Sequence, residues 1–442
     1  MPRRVLSGTA VSMAGRLWGS VCTMALLALA ARTLSGAEFG RFTFYLALFA
    51  LLDALVDFGT GAVTVQRTSA VSGDDTARRD AVLSSTLAAG RGIRAGLALV
   101  GLAAVAAFAF GFGEPGAGWI ALAALYPLTH VFELSSVVFR NRIRLGVPVA
   151  VRAFASTARL AVVAALSLAG VASAAPYLAA TAAASAVANV VLHLCAKPHL
   201  PARAAPAIDQ ASGGNGARAL FAAAWPLGIA GLCQQAYFHV DNLFVRGWVG
   251  LDELGVYNAG VRLLSVMILA AQFAPTVGLP WLARRATTGD LGIAAARLGR
   301  PLFALGCLGA GLVFPHREDL LALLFGEPFR AGAPALGWLL VAVAVIHAGA
   351  PLLTAVVATG RTRAVAVVAA GGLAVNLVGN ALLVPGRAAE GAAIATLFTE
   401  IFVALGAAVA LVRAGHPPWD RGRSALGWLV GPALFAAAAW LA

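Results

Sequence analysis

Charge is scarce in this 442-residue chain: only 12% of its residues are Asp, Glu, Lys or Arg, whereas 60% are hydrophobic, and the mean hydropathy is +0.85. A soluble domain cannot hide that much apolar surface, so a water-soluble globular protein is excluded. Lysine is almost missing, with Lys197 the sole example, so the net charge of +13 rests on arginine. The arginines fall in alternate loops rather than in one patch, which argues against a nucleic-acid surface. Cysteine is rare as well. Cys22, Cys195, Cys233 and Cys307 each sit alone in an apolar run, and with no Cys-x-x-Cys or Cys/His cluster neither a disulfide nor a metal site is expected. The short alternating segments of an outer-membrane barrel are also missing.

What the chain does have is long apolar runs. A bilayer-spanning helix needs roughly 20 mostly apolar residues, and helices satisfy their own backbone hydrogen bonds in lipid. Spans are expected near 9–31, 42–66, 82–110, 117–139, 147–170 and 174–196, then near 219–247, 254–281, 295–314, 331–358, 364–384 and 390–412, with a thirteenth run at 424–441. Arg3 and Arg4 before an apolar run imitate a signal peptide, but the run is long and carries Arg16, so it reads as the first spanning helix. A polar, Pro/Gly-rich stretch, "PARAAPAIDQASGGNGAR", separates the two sets. The expected fold is an all-α polytopic membrane protein with 12–13 transmembrane helices, in two six-helix lobes around a central cavity. Its parts are a lobe at 1–200, a cytoplasmic linker at 201–218, a lobe at 219–413 and an extra hydrophobic helix within 414–442.

Basic residues set the orientation. Twenty lie in one set of loops and helix ends, Arg78, Arg79, Arg361 and Arg363 among them. Six lie in the other: Arg32, Arg41, Arg246, Arg317, Arg330 and Arg387. The N-terminus and the linker are therefore expected on the cytoplasmic side.

Three short patterns recur in order. "LSGAEFGRFTFY" at 34–45 returns as "VGLDELGVYNAG" at 249–260, FGEP at Phe112–Pro115 returns at Phe325–Pro328, and Arg140-x-Arg142 returns as Arg361-x-Arg363. The offsets are 215, 213 and 221 residues, and matching loops fall on the same side of the membrane. The repeat is thus parallel, an arrangement used by transporters that alternate access to a site between two lobes. Ser35 and Glu38 have the spacing of a helix capping box. Gly250 and Glu253 repeat that spacing with Gly at the cap position. Gly40 and Gly255 are expected to let the following helix pack closely.

The segments "LAARTLSGAEFGRFTFYLALFALLDALVDFGTGAVTVQR", "WPLGIAGLCQQAYFHVDNLFVRGWVGLDELGVYNAGVRLL", "LLFGEPFRAGAPALGWLL" and "VNLVGNALLVPGRAAEGAAIATLFTE" resemble bacterial polysaccharide flippases of the multidrug/oligosaccharidyl-lipid/polysaccharide exporter superfamily. The resemblance covers most of the chain. An odd helix count departs from that family's usual even one. The resemblance implies a flippase that moves a polyprenyl-pyrophosphate-linked oligosaccharide from the inner to the outer leaflet of the bacterial cytoplasmic membrane, serving O-antigen, capsule or exopolysaccharide synthesis. The implied partners are the lipid-linked oligosaccharide, membrane lipids, and a polysaccharide polymerase and glycosyltransferases. No enzyme activity, catalytic set, metal or nucleic acid is expected. The only cofactor-like requirement is coupling to H+ or Na+.

A charge at the bilayer centre costs about 2.5–3.5 kcal/mol on insertion scales and faces a partner or a watery cavity. Six arginines fall inside the expected spans: Arg16, Arg91, Arg94, Arg152, Arg159 and Arg262. Arg152, Ser156 and Arg159 share one helical face, as do Arg91 and Arg94. The guanidinium fork suits a pyrophosphate, so these are the candidate cavity residues, with pairing to an acid as the plainer use. The acids inside the spans are Asp53, Asp57, Glu133, Asp241 and Glu400, candidates for ion coupling or for salt bridges. Gln235, His239, Asn242 and Arg246 form a polar stripe, read as sugar contacts or an outer gate. Asn376 and Asn380 are expected to hydrogen-bond between helices, and His130, His193 and His347 to make core hydrogen bonds. The rival functions are a peptidoglycan-precursor flippase and a drug/cation antiporter; the latter calls for an acidic, aromatic cavity. A polytopic glycosyltransferase would need a long, acid-bearing external loop, and every external loop here is short.

Overall fold

The computed structural model describes residues 2–71, 75–141, 145–201, 216–273, 278–286, 289–419 and 426–441. Most of the linker, together with Arg142 and Arg144, lies outside the described residues. The described chain is helical, and ten of its helices are long and apolar enough to cross a membrane. It is a multi-pass membrane protein. The chain forms two compact units: residues 1–26 with 45–232, and residues 27–44 with 233–442. The division therefore runs within helices rather than along the lobe limits at 200 and 219.

The first unit contains most of α1 (Pro2–Thr33) and α2 (Gly36–Asp57), followed by α3 (Thr60–Ser69), α4 (Thr76–Gly111), α5 (Ala117–Ala123), α6 (His130–Glu133), α7 (Val137–Asn141), α8 (Gly146–Leu168), α9 (Ala174–Ala196) and the start of α10 (Gly216–His239). Two spans that read as continuous in the sequence are broken here. The span expected at 42–66 stops at Asp57 and restarts at Thr60, because Phe58 (φ 39°) and Gly59 (φ 73°) are left-handed. Asp57 ties this turn. Its carboxylate accepts from the Gly59 amide at 3.3 Å, and its carbonyl accepts from the Thr60 hydroxyl at 2.7 Å. Phe58 is held by a stacked ring, Phe221, at 5.3 Å. The span expected at 117–139 is interrupted by 3₁₀ turns at Tyr126–Thr129 and Leu134–Ser136. Pro127 sits at the first of them, where its missing N–H and fixed φ are tolerated. These turns set the directions of His130 and Glu133.

The second unit contains the remainder of α10, then α11 (Asp241–Trp248), α12 (Leu251–Met267), α13 (Leu269–Gln272), α14 (Leu279–Arg285), α15 (Leu291–Val313), α16 (Arg317–Phe325), α17 (Ala333–Ala358), α18 (Thr362–Arg413) and α19 (Leu426–Leu441). The 52-residue α18 holds the two spans expected at 364–384 and 390–412, folded back at Ala388 (φ 49°, ψ −132°). Small residues allow its two halves to meet: a Cβ on Gly379 would lie 2.9 Å from that of Ala395. The first amide after the fold-back, Ala389, donates to Glu253 at 3.3 Å, so Glu253 caps a helix other than its own. Ser35 does cap, accepting from the Glu38 amide at 3.3 Å, while Glu38 itself pairs with Arg41. The thirteenth run, α19, lies along α15 in the same direction, with Trp428 against Phe303 at 5.5 Å and Phe435 against Phe314 at 5.7 Å.

The two repeated turns touch each other within this unit. A Cβ on Gly255 would lie 2.9 Å from the Gly36 carbonyl oxygen and 3.3 Å from the Gly40 amide, and one on Gly40 would overlap the Leu251 carbonyl. One turn further on, the Asn258 amide donates to the Thr43 hydroxyl at 3.0 Å. Gly40 and Gly255, like Thr43 and Asn258, are 215 positions apart, so each contact joins a residue to its own repeat equivalent. Gly40→Val and Gly255→Val are each expected to destabilise the protein by about 1–3 kcal/mol, the usual range for overpacking. The readout is the melting temperature in detergent; a wild-type value in both variants would contradict the close approach.

Candidate functional site

Charge inside the first unit is concentrated where the helix breaks put it. Arg94 on α4 is 2% exposed and fully engaged. Its Nε donates to the Thr60 hydroxyl at 2.9 Å, and its Nη1 donates to the His130 carbonyl at 2.9 Å and to Glu133 at 3.1 Å. Its Nη2 pairs with Asp57. Arg94 thus fastens the Asp57–Thr60 turn to α6. His130 is bracketed by acids, with Nε2 3.1 Å from Asp53 and Nδ1 3.2 Å from Glu133. Tyr126 donates its hydroxyl to Asp53. Glu133 also pairs with Arg152 of α8. Removing one member of a buried ion pair leaves the other uncompensated, which costs about 3–5 kcal/mol. Asp57 and Glu133 are salt-bridge residues in this structure, while Asp53 accepts from Tyr126 and lies beside His130.

Beside this network lies a cavity of about 620 Å³, bounded by α1, α8, α9 and the end of α7. Arg16, Arg140, Arg152 and Arg159 line it, together with Ser12, Ser156, Ser185 and Asn189. Arg159 donates to the Ser156 hydroxyl at 3.0 Å, which holds its guanidinium along the wall. Arg152 is 59% exposed although it pairs with the nearly buried Glu133. The stripe Arg152, Ser156, Arg159 therefore faces the cavity as one surface. Its chemistry is that of an anion site: several guanidinium forks interleaved with hydroxyl and amide groups.

Other candidates lie elsewhere. Arg94 is buried among its partners, and Arg91 donates to the Ser135 hydroxyl at 2.8 Å, which in turn meets His193 at 2.7 Å. Neither lines the cavity. In the second unit the stripe Gln235, His239, Asn242, Arg246 runs from α10 into α11 across Val240, which keeps helical φ and ψ. Asn242 is buried and bonded to Asp241 at 2.9 Å and to Asn258 at 2.7 Å. Asp241 also accepts from Tyr257, so this network binds α11 to α12. Arg246 stacks over Phe44 at 4.4 Å. Arg262 of α12 and His239 do not line the arginine cavity. Glu400 is buried, and its Oε1 has no hydrogen-bond partner among the described residues. Asn380 bonds to Asn376 within its own helix at 2.9 Å rather than between helices, and His347 meets the Val343 carbonyl at 2.8 Å. A further cavity of about 680 Å³ lies beside the repeated turns. Its walls are largely apolar, and its arginine, Arg32, is tied to the Leu323 and Leu324 carbonyls.

Sequence reasoning passed over three features of the site. His130 looks isolated in the chain, yet it shares a helical face with Glu133 three residues on, and that spacing was the available signal. Tyr126 and Arg140 join the site through the 3₁₀ turns and the end of α7, which no periodicity reveals.

Solved structures with this fold include the lipid II flippase MurJ in an inward closed conformation (10% identity, 99% of this chain and 98% of that one, TM-score 0.70). A Vibrio cholerae MATE transporter, VcmN, is 14% identical over 93% of this chain and 98% of its own, with a TM-score of 0.59. A MOP superfamily transporter from Pyrococcus furiosus, described as having a binding pocket of reversed polarity, is 13% identical over 98% and 96%, with a TM-score of 0.65. No curated protein sequence matches the chain significantly. The profile of the family described as "Polysaccharide biosynthesis protein" matches residues 5–285, a stretch that takes in the whole ion-pair network and the cavity beside it. The chain belongs to that polysaccharide biosynthesis protein family.

Proposed function

We propose that this protein moves a polyprenyl-pyrophosphate-linked oligosaccharide from the inner to the outer leaflet of a bacterial cytoplasmic membrane, for assembly of a cell-surface polysaccharide. The observation that carries this reading is the cavity lined by Arg16, Arg140, Arg152 and Arg159. Guanidinium groups recognise a pyrophosphate by paired, charge-assisted hydrogen bonds. The serine hydroxyls and the Asn189 amide are groups that also hydrogen-bond sugars. Membership of a polysaccharide biosynthesis family supports the same cargo class, and the shared fold with a lipid II flippase supports flipping as the activity.

In this reading the N-terminus is cytoplasmic, and the two repeats alternate access to the bound head group. Arg262, Gln235 and His239, expected from the sequence as cavity residues, do not line this cavity. Ion coupling falls to the buried acids Asp241 and Glu400. Polymerase and glycosyltransferases act beside the flippase, supplying and consuming its cargo. A cationic drug is disfavoured as cargo, because the cavity lining includes four arginines and, among the described residues, no carboxylate. A peptidoglycan precursor shares the pyrophosphate and is the second reading, favoured by the fold shared with the lipid II flippase.

Deleting the gene is expected to make one lipid-linked oligosaccharide accumulate in the cytoplasmic leaflet, measured by extraction and mass spectrometry. Unchanged lipid-linked pools with altered drug tolerance would overturn the reading. Arg16→Ala and Arg159→Ala are each expected to lower complementation on the order of 10- to 100-fold, the scale of one charge-assisted contact. Membrane insertion, checked by blotting, should be retained. Full complementation by both would remove the cavity from the transport path.

A further inference from the structure

The ion-pair network and the arginine cavity share one residue, Arg152, and that sharing has a thermodynamic consequence. The directly bonded network holds three carboxylates, Asp53, Asp57 and Glu133, but only two guanidinium groups, Arg94 and Arg152. His130 stands between the unmatched acids: its Nδ1 is hydrogen-bonded to Glu133 at 3.2 Å, and its Nε2 lies 3.1 Å from Asp53 with no hydrogen bond among the described residues. A neutral imidazole leaves these three carboxylates with two cations, whereas an imidazolium supplies the third positive charge between two of them. Protonated His130 therefore brings the network to zero charge, which an apolar surrounding favours.

We propose that the Arg152–Glu133–His130 chain couples anion binding in the cavity to proton binding at His130. This inference rests on the anionic-cargo reading. Arg152 is the exposed end of its pair and Glu133 the covered end, so a phosphate entering the cavity competes with Glu133 for the same guanidinium. When the anion takes Arg152, Glu133 keeps only Arg94 and His130 as counter-charges. A neutral His130 would then leave the bonded network two negative charges in excess; a protonated one leaves it one. Anion binding thus favours the protonated histidine, and by reciprocity a protonated His130 frees Arg152 for the anion. No bond is made or broken beyond the N–H bond at His130, and the proton comes from solvent.

The charged and titratable groups around His130 assign the effect to it. Asp53 and Asp57 approach from α2, Arg91 and Arg94 from α4, Tyr126 and Glu133 from its own span, Arg152 and Arg159 from α8, and His193 from α9. Tyr126 and Arg94 are already committed as donors to Asp53 and Asp57. His193 is engaged with Ser135. Among the described residues, His130 is the one imidazole bonded directly to the acid that holds Arg152.

The test is calorimetric titration of the full-length protein in nanodiscs with inorganic pyrophosphate. Buffers of different ionisation enthalpy count the protons taken up, at several pH values between about 6 and 10. Titration of pyrophosphate itself is common to all variants and cancels in the difference. The wild type is expected to take up more protons per pyrophosphate than His130→Gln and Glu133→Gln. Glu133→Gln is expected to bind roughly two- to fivefold more tightly, the scale of one partly exposed ion pair removed as a competitor. If His130→Gln does not fold, Glu133→Gln and Arg152→Gln carry the comparison. Equal proton uptake in wild type and variants that still bind would overturn the linkage and leave the anionic-cargo reading standing. Absence of pyrophosphate binding to the wild type would overturn both.

Discussion

Glu133 is the residue on which the first unit turns. A carboxylate within an apolar span must be neutralised where it stands, and Glu133 is met by Arg94, Arg152 and His130 from three helices. Meeting that demand shapes the backbone. The span from Ala117 to Asn141 gives up regular helix for 3₁₀ turns around His130 and Glu133, and the second span breaks at Phe58 and Gly59 so that Asp57 and Thr60 reach Arg94. The same carboxylate holds Arg152 at the cavity wall. Local electrostatics, helix irregularity and the arginine face of the cavity meet at one nearly buried acid.

The second unit is organised by close approach rather than by charge. Gly40 and Gly255 bring two repeat-related turns within backbone contact, and Thr43 and Asn258 add a hydrogen bond between equivalent positions. Small residues serve the same purpose in α18, whose halves meet at Gly379 and Ala395. In lipid, where burial of apolar surface gives little association energy between helices, such contacts and the polar network of Asp241, Asn242, Tyr257 and Asn258 carry the packing.

Much of the helical layout was legible from hydropathy alone, because lipid demands long apolar helices with satisfied backbones. The span ending at Ala196 and the thirteenth run illustrate this. The Arg152–Ser156–Arg159 face was legible for a similar reason: helical periodicity on a charge-poor background leaves a polar stripe conspicuous. The breaks at Phe58 and Ala388 were not, since their partners, Phe221 and Glu253, are distant in sequence. Arg94 shows the limit of the charge argument. Its presence in a span announces a partner or a cavity, and only the fold decides that the partners are Asp57 and Glu133. Glu253, spaced as a local cap, proves to serve the amide of Ala389.

The cargo proposed for the cavity is an anionic, lipid-linked head group. The most direct measurement is translocation in proteoliposomes of a fluorescent polyprenyl-pyrophosphate glycan against its uncharged polyprenyl-glycoside analogue, followed by quenching from outside. Protein-dependent transfer of the pyrophosphate lipid is expected, competed by inorganic pyrophosphate and lost in Arg159→Ala. Equal transfer of the uncharged analogue, or transfer indifferent to pyrophosphate, would contradict it.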